Sequence, residues 1–322
     1  MSSINTTSFF QIPYFVLMCF PSIQSWQHWL SITLTFLLVI AVASNLIILE
    51  VIRREQNLPE PMYHLISFLA VLDLVLCMAT IPKILGVLGF NLKVIDLPTC
   101  LLQMFAMNSL VVMECATFLF MAFDWYVAIC NPLRYSSVIS FRFIAKSFLF
   151  VLLRGILVYL PYPMLTARLQ YCSRNVNVIE HCVCTNVAVT SLACSDRTIN
   201  AVYQLVIAFG ILGSDFIFIC LSYCLILRVV ICIPVKGAAR KALSTCSSHL
   251  ILISFFYTLL LVLIFTNKME KVIVPDVPIL LNVLHFIIPP ALNPLVYGLR
   301  TKEMKPGIMK MISSWDKSPA VK

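Results

Sequence analysis

Seven stretches of roughly twenty or more residues carry apolar side chains at almost every position, and short polar segments separate them. They lie near Trp29–Ile52, Met62–Leu85, Pro98–Ile129, Phe143–Leu165, Asn200–Val230, Lys241–Thr266 and Val277–Leu299. A helix needs ~20 mostly apolar residues to cross a bilayer, where its backbone must satisfy its own hydrogen bonds. The inside–outside alternation of a membrane β-barrel is absent. The pattern predicts an all-α membrane protein, a seven-transmembrane helix bundle spanning residues 29–299. Residues 1–28 form a polar-to-apolar leader and residues 300–322 a tail. In that tail TKEMKPGIMKMISSW mixes basic residues with Met304, Ile308, Met309, Met311, Ile312 and Trp315, which predicts a short amphipathic cytoplasmic helix on lipid.

Composition agrees: 61% of the 322 residues are hydrophobic and 11% charged, too few charges for a soluble chain of this length. The net charge of +9 does not mark a nucleic-acid binder, because the basic residues are scattered through short loops. Fifteen of the 23 lysines and arginines fall on the side of the first inter-span loop and the tail. The positive-inside bias therefore predicts an extracellular N-terminus and a cytoplasmic tail. MSSINTTSFF lacks a basic start and a small-residue cleavage site, so no cleaved signal peptide is expected. Its Asn5-Thr6-Thr7 is a glycosylation sequon on the predicted outer side.

Cysteine placement fits the same topology. Cys100 opens the third span, and Cys172, Cys182, Cys184 and Cys194 crowd the loop before the fifth, all on the oxidising side. Cys182-Val183-Cys184 offers a weak zinc alternative, but the spacing suits a disulfide-stapled loop lid better. The other eight, Cys19 among them, read as small apolar residues.

Polar residues inside spans are costly and normally face the bundle interior. Asp73 and Glu114 sit deepest, in SFLAVLDLVLC and VVMECATFLF. They can share a proton or hold a small cation, with Asn45, Ser109 and Asn293 as neutral oxygen donors; a hydrogen-bonded cluster without an ion is the competing reading. Arg154 and Asp215 are also intramembrane charges without an evident local partner. Pro289, Pro290 and Pro294 free carbonyls in the last span and mark a joint above Tyr297. An enzyme is not expected, since His249 and His285 belong to no HExxH, GxSxG or paired-Asp arrangement. A transporter or channel remains open on these grounds, although seven non-repeated spans lack the usual internal repeat.

Several motifs narrow the class. MAFDWYVAICNPLRY resembles the MAxDRYVAICxPLRY signature of olfactory receptors, within the rhodopsin-like G-protein-coupled receptors. Pro61-Met62-Tyr63 with Leu69 and Asp73 resembles their second-helix PMY…LxxxD, and Ser222-Tyr223 the SY of the fifth helix. KALSTCSSHL resembles KAxSTCxSHL of the sixth, and PPALNPLVYGLRTKEM resembles PPxLNPxVYxxRxKE of the seventh. The matches run in order over nearly the whole chain. The opening CFPSIQSWQHWL and the long second outer loop most resemble class I, fish-like, olfactory receptors, and among them olfactory receptor family 56.

This resemblance implies a plasma-membrane receptor for small-molecule odorants, coupled to the heterotrimeric stimulatory olfactory G protein and cyclic AMP. It implies a Cys100–Cys184 disulfide, with Cys182 the competing partner of Cys100, and a second bridge Cys172–Cys194. It strengthens a sodium site at Asp73, Glu114, Asn45, Ser109 and Asn293, with no other cofactor. Position matching places Met107, Asn108, Val111, Gln204, Ala208, Tyr257, Ile264 and Lys268 at an odorant pocket. Lys268 could bind a ligand carboxylate, since class I receptors often take acids, or be a solvated lysine beside Glu270. Asp124, Trp125, Tyr126, Tyr223, Pro294 and Tyr297 fall at the coupling and switching positions. Ser44-Asn45 replaces the family's Gly-Asn. The larger departure is Trp125, where the family has arginine, because an indole has one N–H donor and no charge. That substitution predicts a receptor that binds ligand yet couples weakly, or one that has decayed.

Overall fold

A computed structural model describes residues 14–55, 61–171, 177–232, 236–269, 273–274, 276–300 and 304–316. Among these, seven helices are long and apolar enough to cross a membrane. We label them α1 (Gln27–Arg54), α2 (Pro61–Phe90), α3 (Leu97–Cys130), α4 (Phe141–Ala167), α5 (Thr198–Ile231), α6 (Lys236–Lys268) and α7 (Asp276–Arg300). An eighth helix, α8 (Met304–Asp316), follows. The helices overrun the predicted spans by a turn or less at most ends, because their last turns project past the apolar layer on polar residues such as Arg53 and Arg54. We call the end of the bundle that carries residues 14–20 the strap face, and the end that carries α8 the tail face.

The packing order follows from where each helix keeps its apolar side chains. α3 lies at the centre, against α2, α4 and α5, with buried residues all around its circumference. α1 buries one narrow stripe (Leu34, Ala41, Asn45, Ile48 and Val51) on α2 and α7 and leaves Ile32, Phe36 and Val39 bare. A helix apolar all round with one packed face is what lipid contact requires. α3 starts sharply: the Asp96 carboxylate accepts from the Thr99 N–H at 3.3 Å, and Pro98 occupies the first turn. Hydrogen bonds from the Thr99 side chain and then its N–H hold Asp96 below the usual carboxylate range.

Two features depart from seven uninterrupted rods. α4 breaks at Leu160, where Pro161 brings no N–H to continue the ladder. α5 runs as a wide π-helical turn over Val206–Leu212, with Gly210 inside it and Gly213 after it. Glycines weaken commitment to the α geometry, and π segments favour functional sites. α8 forms despite Pro306-Gly307, since both lie in its first turn, where a proline costs no hydrogen bond. Gly307 is needed for contact as well: a Cβ there would stand 2.9 Å from Val51 Cγ1. Met304 and Met311 are buried while Met309 is exposed, so the helix is one-sided, and Lys310 bonds to Glu55 at 3.2 Å.

The strap face carries a sheet that the hydrophobic pattern did not disclose. β1 (Tyr14–Leu17) lies between β2 (Val94–Asp96), antiparallel to it, and β3 (Asn177–Ile179), parallel to it. Phe15 and Leu17 are fully buried beneath it. Cys19 then bonds to Cys182, with Cα atoms 4.6 Å apart. This corrects two expectations: Cys19 is not a plain apolar residue, and Cys182 does not compete for Cys100. The Gln27 amide fixes the following corner by donating to the Cys19 carbonyl at 2.6 Å.

Candidate functional site

Behind the strap, the bundle encloses a cavity of about 110 Å³. α3 contributes Met107, Asn108 and Val111 to its wall, and the π turn with its flanks contributes Gln204, Ala208 and Leu212. Leu260, Leu263 and Ile264 of α6 and Asn282, His285 and Phe286 of α7 close the other side. Thr185, Asn186 and Val187 of the loop before α5 and Tyr159 of α4 complete it. Six of the eight residues matched to a pocket thus line one cavity. Tyr257 does not line it: its ring packs against Phe216 at 4.9 Å and Phe256 at 5.6 Å. Lys268 ends α6, and its side chain lies outside the described residues. His285, Asn282 and Asn186 went unassigned because nothing local in the sequence shows which way an intramembrane polar residue faces.

The loop that forms the cavity's cover is held from three sides. Cys100, at the start of α3, is bonded to Cys184, and Gln103 one turn on accepts from the Cys184 N–H at 3.2 Å. Both sulfurs of Cys182-Val183-Cys184 are therefore in disulfides, which removes the zinc alternative. Thr185 caps the short helix Asn186–Ser191 by accepting from the Ala188 N–H at 3.3 Å, which turns Asn186 toward Asn108. The Asn108 Nδ2 donates to Asn186 Oδ1 at 3.3 Å and to the Met104 carbonyl at 2.7 Å. Cys194 is disulfide-bonded, while its expected partner Cys172 lies outside the described residues, as does Asn5.

Midway through the bundle, Asn293 of α7 donates through Nδ2 to both oxygens of Asp73, at 3.1 and 3.2 Å. Glu114 shares a side-chain hydrogen bond with Asp73. Two carboxyl groups this close hold together through a proton or a bridging cation. Glu114 Oε1, Asn45 Oδ1 and Ser109 Oγ are buried without a partner. These are hard oxygen donors, a set that fits a small cation. Asn45 has a second task. Pro294 supplies no N–H to the carbonyl of Pro290, and the Asn45 Nδ2 donates to that carbonyl instead, at 2.8 Å. The proline joint of α7 is thereby tied to α1.

The cavity connects to the tail face through aromatic rings. His285 on the cavity wall lies 5.5 Å from Phe256, which lies 5.3 Å from Phe118. Phe118 lies 6.3 Å from His249, whose ring is 6.0 Å from Tyr223 and 6.1 Å from Tyr297. The Tyr223 hydroxyl is hydrogen-bonded to His249 Nδ1, and Tyr297 reaches Met121 Sδ at 3.9 Å. Residues of α3, α5, α6 and α7 thus meet ring to ring. At the tail end of α3, buried Asp124 accepts from the Tyr135 hydroxyl at 3.0 Å. Trp125 is half-buried against the core beside it, with Tyr126 next to it at similar depth.

The seven-helix bundle, with a cavity at one end and this network at the other, has the fold of rhodopsin. A crystal structure of squid rhodopsin superposes with a TM-score of 0.73, covering 91% of this chain and 87% of that one at 15% identity. At that identity the likeness concerns the fold. The sequence family is narrower: the olfactory receptor family model matches residues 34–315. Human olfactory receptor 56A4 is 52% identical over 97% of this chain and 99% of its own length. Human olfactory receptor 56B2 is 48% identical over 96% of both chains. Mouse olfactory receptor 56B34 is 47% identical over 93% and 92%. The chain belongs to the olfactory receptor family, a family of signalling receptors and not of enzymes.

Proposed function

We propose that the chain is an odorant receptor of the plasma membrane, with its strap face extracellular and its tail face cytoplasmic. A small volatile organic enters the cavity and favours a state in which α6 moves outward. The stimulatory olfactory G protein then engages the tail face and cyclic AMP rises. The observation that carries this reading is the ring-to-ring run from His285 to Tyr223 and Tyr297, which links the cavity wall to the residues matched to the switch. A ligand can shift such an equilibrium only by touching the two states differently, and a wall built from five separate helices offers that difference.

The polar cluster is the natural holder of a sodium ion, through Asp73 and Glu114 with Asn45, Ser109 and Asn293 as neutral donors. A bound ion supplies charge balance that keeps α2, α3 and α7 together. α8 rests on inner-leaflet lipid through exposed Met309, with Met304 and Met311 buried in the protein, and Asn5 carries the glycan on the outer side.

Trp125 supports a second reading, a receptor that binds odorant and couples weakly. The Tyr135 hydroxyl donates to Asp124, and Trp125 brings no charge to the tail face. The test is an odorant panel with a cyclic AMP readout on the native chain and Trp125→Arg, matched for surface expression. Responses in both support the first reading. A response only in Trp125→Arg supports the second, and cyclic AMP silence from both at normal surface levels overturns coupling to the stimulatory G protein.

A further inference from the structure

The cavity wall carries polar groups without fixed charge. Asn108, Asn186, Gln204, Asn282 and Thr185 bring amides and a hydroxyl, and His285 stands between the rings of Phe256 and Phe286 at 5.5 Å each. Among the described residues that line the cavity there is no Lys, Arg, Asp or Glu. The nearby intramembrane charges are spoken for: Arg154 is paired with Asp215 at 2.7 Å, and neither side chain lines the wall.

The hydrogen-bonding capacity left over is neutral and two-way. Both Asn108 Nδ2 bonds go to protein acceptors, so its carbonyl oxygen remains to accept. Asn282 likewise donates to the Pro278 carbonyl at 2.9 Å and keeps its oxygen. The Gln204 amide, also on the cavity lining, can donate as well as accept. His285 Nδ1 is buried without a partner. A carboxylate brought here would lose its water and gain no cation from the described lining residues, whereas a hydroxyl or carbonyl would find matching donors and acceptors.

From this we propose that the cavity selects neutral, oxygen-bearing odorants (alcohols, aldehydes, ketones or esters) over carboxylic acids. The proposal rests on the odorant-receptor reading and narrows it. It also departs from the acid preference that class I membership suggests, because that preference needs a cation on the wall.

The test is a dose–response series of matched pairs, each acid beside the alcohol, aldehyde and methyl ketone of equal carbon number, from four to ten carbons. It is run on the native chain and Trp125→Arg, with thermal stabilisation of purified receptor as a readout independent of coupling. Neutral members should act at concentrations about 100-fold or more below the matched acid, the order expected from burying a charge without a partner. Gln204→Arg, which adds a cation to the wall, should narrow or reverse that order. Acids acting as well as or better than their neutral partners would overturn the proposal while leaving the receptor reading intact. Neither stabilisation nor signal from any compound would overturn both.

Discussion

Arg154 donates through Nη2 to Asp215 Oδ2 at 2.7 Å, and the same nitrogen reaches the Ile211 carbonyl at 3.4 Å. One guanidinium thus clamps α4 to the end of the π turn, and Leu212, the next residue along, is on the cavity wall. The side chains are 13% and 4% exposed, so removing one partner strands the other charge away from water. Arg154→Met or Asp215→Leu alone should cost about 3–5 kcal/mol. The double substitution should recover most of that, since two apolar groups leave nothing unpaired. Thermal melting of the four proteins in detergent gives the cycle; equal additive losses would show that the residues act independently.

The strap is held by the Cys19–Cys182 bond, which closes a loop across 163 residues of sequence. Cys19→Ser and Cys182→Ser should each cost ~2–5 kcal/mol of stability. The double variant should cost no more than either single one, because all three lack the same bond. Thermal inactivation with and without reductant measures it. A Cys182→Ser variant that behaves normally while Cys19→Ser fails would point to a different partner for Cys19.

How much of this was legible in sequence depends on whether the signal is local. Apolar runs disclose the spans because the membrane imposes one requirement on every turn, and TKEMKPGIMKMISSW disclosed α8 by its mixture of basic and apolar residues. Asp73, Glu114 and Asn293 were legible as costly intramembrane groups, and the structure brings them into one hydrogen-bonded set. Cys19 was not, since a single cysteine in a short leader looks the same bonded or free until β1 carries it to the loop. The π turn was equally hidden, because Val206–Leu212 is as apolar as any α-helical stretch beside it. His285 and Asn282 could be recognised as polar, but their direction depends on the rotation of α7, which the three prolines and the Asn45–Pro290 bond set at long range.

Gly155 lets α4 lie close against Met113 and Ser109 of α3. A Cβ there would stand 2.5 Å from Met113 Cγ, 2.7 Å from Met113 Cε and 3.0 Å from the Ser109 carbonyl oxygen. The methionine can swing aside, but the backbone oxygen cannot. Gly155→Ala should therefore lower stability by about 1–3 kcal/mol, the usual cost of overpacking, and Gly155→Val by more. Melting temperature of purified protein checks both. Gly155→Ala combined with Met113→Ala should recover part of the loss, which separates side-chain crowding from helix displacement.

His181 gives the strap face a pH dependence whose direction can be worked out. The side chain is buried, Nδ1 has no partner, and burial lowers its pKa from 6.5 to about 4. The unfolded chain therefore binds a proton near pH 6.5 that the folded chain refuses until about pH 4. Where the unfolded state binds more protons, stability rises with pH. The contribution is thus fully present above pH 6.5 and is lost as pH falls from 6.5 toward 4. Its size across the whole window is about 3 kcal/mol at most, taking 1.36 kcal/mol per unit. Other titrating groups cancel when the native chain is compared with His181→Gln, which keeps the shape and cannot take a proton. Melting temperatures at pH 7.5, 6 and 5 should fall more steeply for the native chain. Parallel curves would mean that His181 is hydrated in the folded protein and contributes nothing to its acid sensitivity.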